Sequence, residues 1–376
     1  MKKVVVILVL FLFLTGNVYA DEYSLISEYV SVYTEEIEGV LDYDLIGEIM
    51  PEFSVEDFVS KTVKGENVFD FQGLWERFKE IILKEIRGIS GSLAVVLLLV
   101  VLSSLISNLS LIKDGGAEKT ALIIGKILIG GTLSVLFASL AKTAMNVINT
   151  VTYFMETLVP SMVVCLTASG LVTSSATIQP LILAVSGGIA IACKTILFPM
   201  ASVFFLLNIF GNLSDGFSVK KTPETIKKLF KMFLEILFIV FTAIISIQGF
   251  ALSVTQGISF KAAKFLTGNL VPVVGGVISE SLESVVYCNQ VIKGSLGIIG
   301  IVVIILYLLS PVIKLILASA LFRVLSALTE PVSDEKTVKI ISGFCDSLSM
   351  ITAILVSVSF VFIIALTILI RLGNFL

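Results

Sequence analysis

The stretch TGNLVPVVGG, residues 267–276, is the most informative part of the chain. It is too apolar for a surface loop and too rich in glycine and proline for one regular helix, so it predicts two short segments that break near Pro272. Broken backbone at membrane depth is stable only where protein surrounds it or where it lines a wet cavity. The stretch is therefore either a helix kink or a re-entrant element, defined by Gly268, Asn269, Pro272, Gly275 and Gly276.

A second Val-Pro pair lies 112 residues earlier, at Pro160, and the same offset pairs Pro199 with Pro311. Apolar sequences match by chance easily, but the chain has only eight prolines and both pairs share one offset. This favours an internal duplication, a common plan among membrane proteins, with copies at residues 150–260 and 261–376. Lysines precede the apolar runs at residues 121, 234 and 340 alike, which favours a parallel repeat over an inverted one.

The composition is that of a membrane protein. Of the 376 residues, 56% are hydrophobic and 15% are charged, and the mean hydropathy is +1.05. These values lie outside the range of soluble globular proteins. Acidic side chains outnumber basic ones by 17 to 6 in residues 21–88, whereas basic ones prevail by 18 to 12 in residues 89–376. We expect an all-α polytopic membrane protein of six to nine spans with two broken or re-entrant Val-Pro elements.

The first twenty residues have the form of a cleavable secretory signal peptide. Two lysines precede a short apolar run, and small residues lead to a cleavage site between Ala20 and Asp21. Residues 21–88 would then form a small acidic helical region outside the cytoplasm. By the positive-inside rule, the lysine-rich segment 220–231 would be cytoplasmic, and we expect no nucleic-acid binding from it.

The remaining polar and apolar runs outline the membrane region. Residues 74–87 predict an amphipathic helix that leads into the bilayer, with Trp75 suited to the interface. Residues 89–149 contain the first two transmembrane helices, at 89–112 and 121–141. The apolar run 178–210 is either one long helix kinked at Pro199 or a tight pair of short spans.

Little in the sequence predicts catalysis. The chain has no histidine, no glycine-rich phosphate loop and no nucleophile elbow, so we expect neither an enzyme nor a bound cofactor or metal. The four cysteines have no metal or redox spacing and predict small apolar fillers.

Charges within apolar segments are the remaining candidates for function, since each costs on the order of 3 kcal/mol at the centre of a span. Lys194 and Lys314 each lie within five residues of a paired proline, and they could face a water-filled path. Other charges at such positions, some of them near span ends where long side chains reach the interface, are Lys126, Lys142, Glu156, Glu235 and Arg323.

The run KFLTGNLVPVVG at residues 264–275, with the signal peptide, the acidic region and the lysine-rich central link, resembles the stage III sporulation protein AE family. The resemblance covers most of the chain after the signal peptide and is weakest in residues 21–88. It implies a multi-pass protein of the mother-cell membrane around the forespore, in a channel or secretion-like complex needed for endospore development.

The partners that the resemblance implies are the other stage III sporulation operon proteins and stage II sporulation protein Q, and a homo-oligomer is also compatible with it. It implies no catalytic residues and no cofactor, because the family's energy source is assigned to a separate partner. The alternatives from the residues alone are a stand-alone secondary transporter of a small solute and a membrane scaffold without a path.

Overall fold

A computed structural model of the chain describes residues 38–39, 41–51, 53–64, 71–109, 115–169, 172–213, 222–244 and 275–372. The predicted signal peptide and most of the Val-Pro stretch, with Gly268, Asn269 and Pro272, lie outside these ranges. Within them the chain is helical, as the sequence predicts. The helices are α1 Tyr43–Gly47, α2 Val55–Lys64, α3 Phe71–Leu109, α4 Gly115–Ala168, α5 Val172–Ala192, α6 Phe198–Leu213, α7 222–244, α8 Gly275–Thr329 and α9 Glu335–Arg371.

Helices α8 and α9 form the antiparallel pair at the centre of the bundle, joined by the short turn at residues 330–334. A series of aromatic ring contacts connects α8 and α9 to the neighbouring helices. The ring of Phe322 in α8 lies 5.0 Å from that of Phe344 in α9, which lies 5.9 Å from Phe205 in α6. Phe205 in turn stacks on Phe137 of α4 at 4.5 Å. Each such pair contributes about 0.5–1.5 kcal/mol beyond its buried area, so the four helices pack as one core.

Glycine lets α4, α8 and α9 approach closely near the middle of α8. A Cβ atom at Gly297 would overlap the side chains of Ile370 in α9 and Met162 in α4. One turn later, a Cβ atom at Gly300 would overlap Leu158 of α4 and Leu366 of α9. Small residues at helix contacts permit such close packing.

The prolines do not interrupt the long helices, which corrects the expected break at the first Val-Pro pair. Helix α4 continues through Pro160, where the preceding Leu158 and Val159 are fully buried. Helix α8 likewise continues through Pro311. Each proline removes one backbone hydrogen bond and strains the preceding turn, but packing on both sides keeps the helix intact.

Pro199 is accommodated by a wider turn. Residues Cys193–Leu197 form a π-helical turn between α5 and α6, and the Phe198 N–H donates to the Cys193 carbonyl, one residue further back than in an α-helix. Such turns occur where the regular ladder is disturbed. The structure therefore has one continuous helical run across residues 178–210, with a π-helical turn just before Pro199, rather than two short spans.

Five helices of the described chain are long and apolar enough to cross a membrane: Trp75–Ile106, Thr120–Ala168, Ser175–Leu213, Asn289–Thr329 and Glu335–Arg371. The predicted span at 234–254 begins in α7, whose described part ends at residue 244. The predicted amphipathic helix 74–87 is the first part of α3 and merges with the first span. The expected six to nine spans and the internal repeat stay predictions.

We expect Gly297→Leu to destabilise the bundle, because a leucine there must displace Ile370 and Met162. Overpacking of this kind costs about 1–3 kcal/mol. The matched control is Gly294→Leu, one turn earlier in the same helix, where a Cβ atom meets nothing within 4 Å. Thermal unfolding of both variants in detergent would check this, and equal melting temperatures would contradict the close approach of the three helices.

Candidate functional site

Many of the charged side chains of the described helices lie in three clusters. The outer cluster comprises Glu48, Lys84, Glu85, Ser310 and Lys314. The inner cluster comprises Ser104, Lys126, Val332, Asp334 and Thr337. The lateral cluster comprises Lys227, Arg323, Asp346 and Ser349.

The outer cluster joins α3 to α8. Lys314 Nζ lies 3.4 Å from Glu85 Oε2, and Glu85 is 8% exposed. A carboxylate this buried requires a counter-charge, because removing an ion from water costs several kcal/mol. The partner comes from a helix 229 positions further along the chain, so this pairing is a tertiary contact between distant segments.

The same cluster also docks the N-terminal helices on the bundle. Glu48, just after α1, accepts hydrogen bonds from Lys84 Nζ at 2.8 Å and Ser310 Oγ at 2.7 Å. The Asp42 N–H donates to the hydroxyl of Tyr307 at 2.7 Å. Burial acts to raise the pKa of the Glu48 carboxyl, but the bonds from Lys84 and Ser310 and the nearby cations outweigh it, so the pKa lies below its ordinary value.

The inner cluster holds the α8–α9 turn against α3 and α4. Lys126 Nζ lies 2.8 Å from Asp334 Oδ2, and Lys126 is 8% exposed. Ser104 Oγ donates to the Val332 carbonyl at 2.6 Å, and Thr337 Oγ1 donates to Asp334 at 2.6 Å. Burial raises the pKa of Asp334, but the bonds from Lys126 and Thr337 prevail and lower it.

The lateral cluster connects α7 with the central pair. Asp346 of α9 accepts from Lys227 Nζ of α7 at 2.7 Å and from Arg323 of α8 at 3.1 Å. Arg323 also donates to Ser349 Oγ at 3.3 Å. One carboxylate thus joins cations from two neighbouring helices, an arrangement that membrane proteins use for charges within apolar surroundings.

A polar face of α4 lies apart from these clusters. Lys194, in the π-helical turn, donates from Nζ to Asn149 Oδ1 at 2.9 Å. The spacing of three and four residues puts the exposed side chains of this stretch on one face of the helix. The polar face consists of Lys142, Asn146, Asn149, Tyr153 and Glu156, all exposed.

The predicted path residues are not brought together by these bonds. Lys194 contacts α4, whereas Lys314 contacts α3. Pro199 is exposed at the start of α6, Pro160 is half-buried in α4 and Pro311 is buried in α8. Gly275 and Gly276 begin α8.

Sequence reasoning missed the acidic partners. Glu48 and Glu85 lie in the predicted extracytoplasmic region 21–88, Asp334 lies in a short link, and Asp346 was not singled out within its apolar run. Lys126 lies near a span end, as expected, but pairs with Asp334 instead of reaching freely toward the interface. Only the helix alignment reveals these pairs, since their members are far apart in sequence.

No group of three or more carboxylates and thiols within the described ranges is placed to hold a metal ion. Cys165, Cys193 and Cys345 are buried free thiols, which agrees with their prediction as apolar fillers.

These features define a polytopic helical membrane protein in which the buried Glu85 and Lys126 have ion-pair partners and the buried Lys293 donates a hydrogen bond to the Leu372 carbonyl. The family model described as stage III sporulation protein AE matches residues 53–373, and the chain belongs to this family. The stage III sporulation protein AE of Bacillus subtilis (strain 168) is 24% identical over 332 residues, covering 87% of this chain and 82% of the relative. No solved structure matches the chain. The chain therefore has a role in sporulation.

We expect Glu85 and Lys314 to be energetically coupled. Glu85→Gln or Lys314→Met alone leaves its partner without a counter-charge, whereas the double variant removes both charges. A double-mutant cycle of thermal unfolding in detergent should give a coupling on the order of 1 kcal/mol, limited because Lys314 is about a third exposed. The exposed pair Lys231–Glu235, 3.8 Å apart, is the matched control and should show less coupling. Additive effects at Glu85 and Lys314 would contradict the pairing.

We also expect the docking of α1 and α2 to depend on pH through Glu48. Because its folded-state pKa is lowered, Glu48 contributes stability above the unfolded value of about 4.3, and this contribution is lost as the pH falls through the folded-state pKa. Proteolysis of residues 41–64 should therefore accelerate on acidification below about pH 4.3. Glu48→Gln should be cleaved faster at pH 7 and respond less to acid. An unchanged acid response in this variant would assign the effect to another group.

Proposed function

We propose that the chain is an integral membrane component of a channel or secretion-like complex that connects the mother cell with the forespore and is required for endospore development. The family match carries this proposal, because it extends from residue 53 to residue 373 and so applies to α2 through α9. In this proposal the chain lies in the mother-cell membrane around the forespore.

The proposed partners are the other stage III sporulation operon proteins and stage II sporulation protein Q. The candidate elements for the path are the Val-Pro run with Pro272 and the start of α8 at Gly275 and Gly276. Helix α8 supports this choice because it packs against α3, α4 and α9.

The decisive test is a late forespore reporter in sporulating cells of the native host that lack this gene. We expect the reporter to stay silent after engulfment while early forespore genes are expressed normally, because the proposed complex supports the later stage. Restoring the gene is the control. Normal late expression and normal spores without the gene would overturn the proposal.

Different substitutions should reduce late reporter expression to different degrees in the same assay. We expect Pro272→Ala and Gly275→Val to impair late reporter expression more than Asp57→Asn, which changes an exposed residue of α2 that pairs with Lys61 at the surface. Immunoblotting of membranes would control for protein abundance. Equal reporter levels in all three variants would contradict a path through the Val-Pro element.

A secondary transporter of a small solute is the second candidate, and the π-helical turn favours it. Such turns are frequent at functional sites, and this one carries Lys194, five residues before the exposed Pro199. The transporter alternative expects solute flux into vesicles that contain the purified chain alone, lost in Lys194→Met. Under the channel proposal, flux requires the partner proteins.

A further inference from the structure

Lys293 of α8 is the most deeply buried charged side chain in the part of the chain that the structure describes. It is 1% exposed, whereas Glu85 and Lys126 are each 8% exposed. Its position within an apolar run did not single it out among the charges of the sequence. An ammonium group that is removed from water requires groups that bind its charge, so the surroundings of Lys293 indicate its role.

The first of these groups is the end of α9. Lys293 Nζ donates a hydrogen bond to the carbonyl of Leu372, the residue that caps α9. Leu372 leaves the helical conformation, with φ −63° and ψ 126°, while its own N–H still donates to the Ile368 carbonyl at 3.0 Å. Carbonyls at the end of a helix have no partner within the helix, and Lys293 supplies a donor to one of them.

The end of α4 lies at the same place. Cys165, in the last turn of α4, is 0% exposed, and its thiol is close enough to Lys293 for an electrostatic interaction. Ser169, just after α4, is 3% exposed and donates to the Cys165 carbonyl from its N–H at 3.1 Å and from its hydroxyl at 2.8 Å. We call Lys293, Cys165, Ser169 and Leu372 the Lys293 joint.

Close packing one turn further along α8 explains why the two helix ends meet at Lys293. At Gly297, a Cβ atom would overlap Ile370 of α9 and Met162 of α4, and at Gly300 the contacts move back along both neighbours. Both neighbours therefore run antiparallel to α8, and each ends within two turns of the contact at Gly297. Lys293 precedes Gly297 by four residues and so lies on the same face of α8.

Both helix ends favour a cation. The peptide dipoles of a helix are aligned, and its C-terminal end carries a partial negative charge. Because α4 and α9 both present this end at the Lys293 joint, two partial negative charges are directed at one ammonium group. The low dielectric constant of a buried site strengthens these interactions.

Helix α8 continues past the joint. It begins at Gly275, 18 residues before Lys293, or about 27 Å away at 1.5 Å per residue. Helices α4 and α9 therefore end partway along α8. Helix ends open more readily than helix interiors, so two ends that pack on the side of a third helix depend on a contact that holds them there.

We propose that the charge of Lys293 holds the ends of α4 and α9 together on α8, and that its loss releases both ends at once. In the closed arrangement the Cys165 thiol and the Leu372 carbonyl are buried. Release exposes both of them, while the aromatic contacts around Phe344 keep the rest of the bundle packed. This inference does not depend on the proposed channel, because it rests on contacts within one chain.

Hydrogen exchange of the purified full chain in detergent, followed by mass spectrometry, is the first test. If one contact holds both ends, peptides that contain the Ser169 and Leu372 amides should exchange slowly and at equal rates. A Leu372 amide that exchanges much faster than that of Ser169, as in an ordinary fraying end, would overturn the proposal. This comparison uses the unsubstituted chain and so requires no variant to fold.

Substitution of Lys293 is the second test. Lys293→Met retains the length of the side chain but removes its charge, and we expect both amides to exchange about tenfold faster or more because both helix ends lose their cation. Lys293→Arg retains the charge and should retain most of the protection. The matched control is Lys142→Met, which removes an exposed lysine of α4 and should leave both rates unchanged.

Native thiols show whether the opening is local. Two variants would each retain one cysteine, either Cys165 at the joint or Cys345 within α9, both of them buried. In these backgrounds Lys293→Met should accelerate the reaction of Cys165 with a maleimide about tenfold and leave that of Cys345 unchanged.

Several outcomes would overturn the proposal. Unchanged exchange in Lys293→Met would show that the charge holds neither end, and release of one end alone would show that the ends are not held together. Equal exposure in Lys293→Arg and Lys293→Met would assign the effect to packing instead of charge. Equal acceleration at Cys165 and Cys345 would assign it to the whole bundle. Sporulation is not measured in any of these experiments, so this inference and the channel proposal fail independently.

Discussion

An ionised side chain among apolar helices must be paired or reach water, and the arrangement of the bundle depends on this constraint. Glu85 and Lys126 are each 8% exposed, and each is neutralised by a residue more than 200 positions away. The two pairs hold α3 and α4 against opposite ends of the inner half of α8. Breaking either pair would leave a buried charge without a counter-ion, which costs far more than an exposed pair contributes.

Close packing then permits helices that are much longer than a bilayer is thick. The aromatic chain from Phe322 to Phe137 joins four helices in the inner half, and Gly297 and Gly300 let three helices meet in the outer half. A proline inside such a helix costs a hydrogen bond but does not end it where neighbours pack on both sides. Just before Pro199, a π-helical turn replaces the regular hydrogen-bond pattern.

Two separate observations define this protein. Its membership of the stage III sporulation protein AE family rests on the match over residues 53–373. The way its buried charges are paired rests on the alignment of α3, α4 and α8, which only the folded chain shows.

The helical class and the membrane setting follow from sequence alone, because composition and the length of apolar runs determine whether a segment is more stable in lipid or in water. A disturbance of the helix near Pro199 could also be predicted, since proline removes a backbone donor. The continuity of α4 through Pro160 could not be predicted from the sequence, because it depends on neighbouring helices that pack around this proline. The partners of Lys126 and Lys314 could not be predicted either, because residues far apart in sequence meet only when the whole core sets the alignment of the helices. The tertiary structure alone distinguished apolar side chains that face the exterior, such as Leu98, from those that face protein, such as Val303, since hydropathy is the same for both.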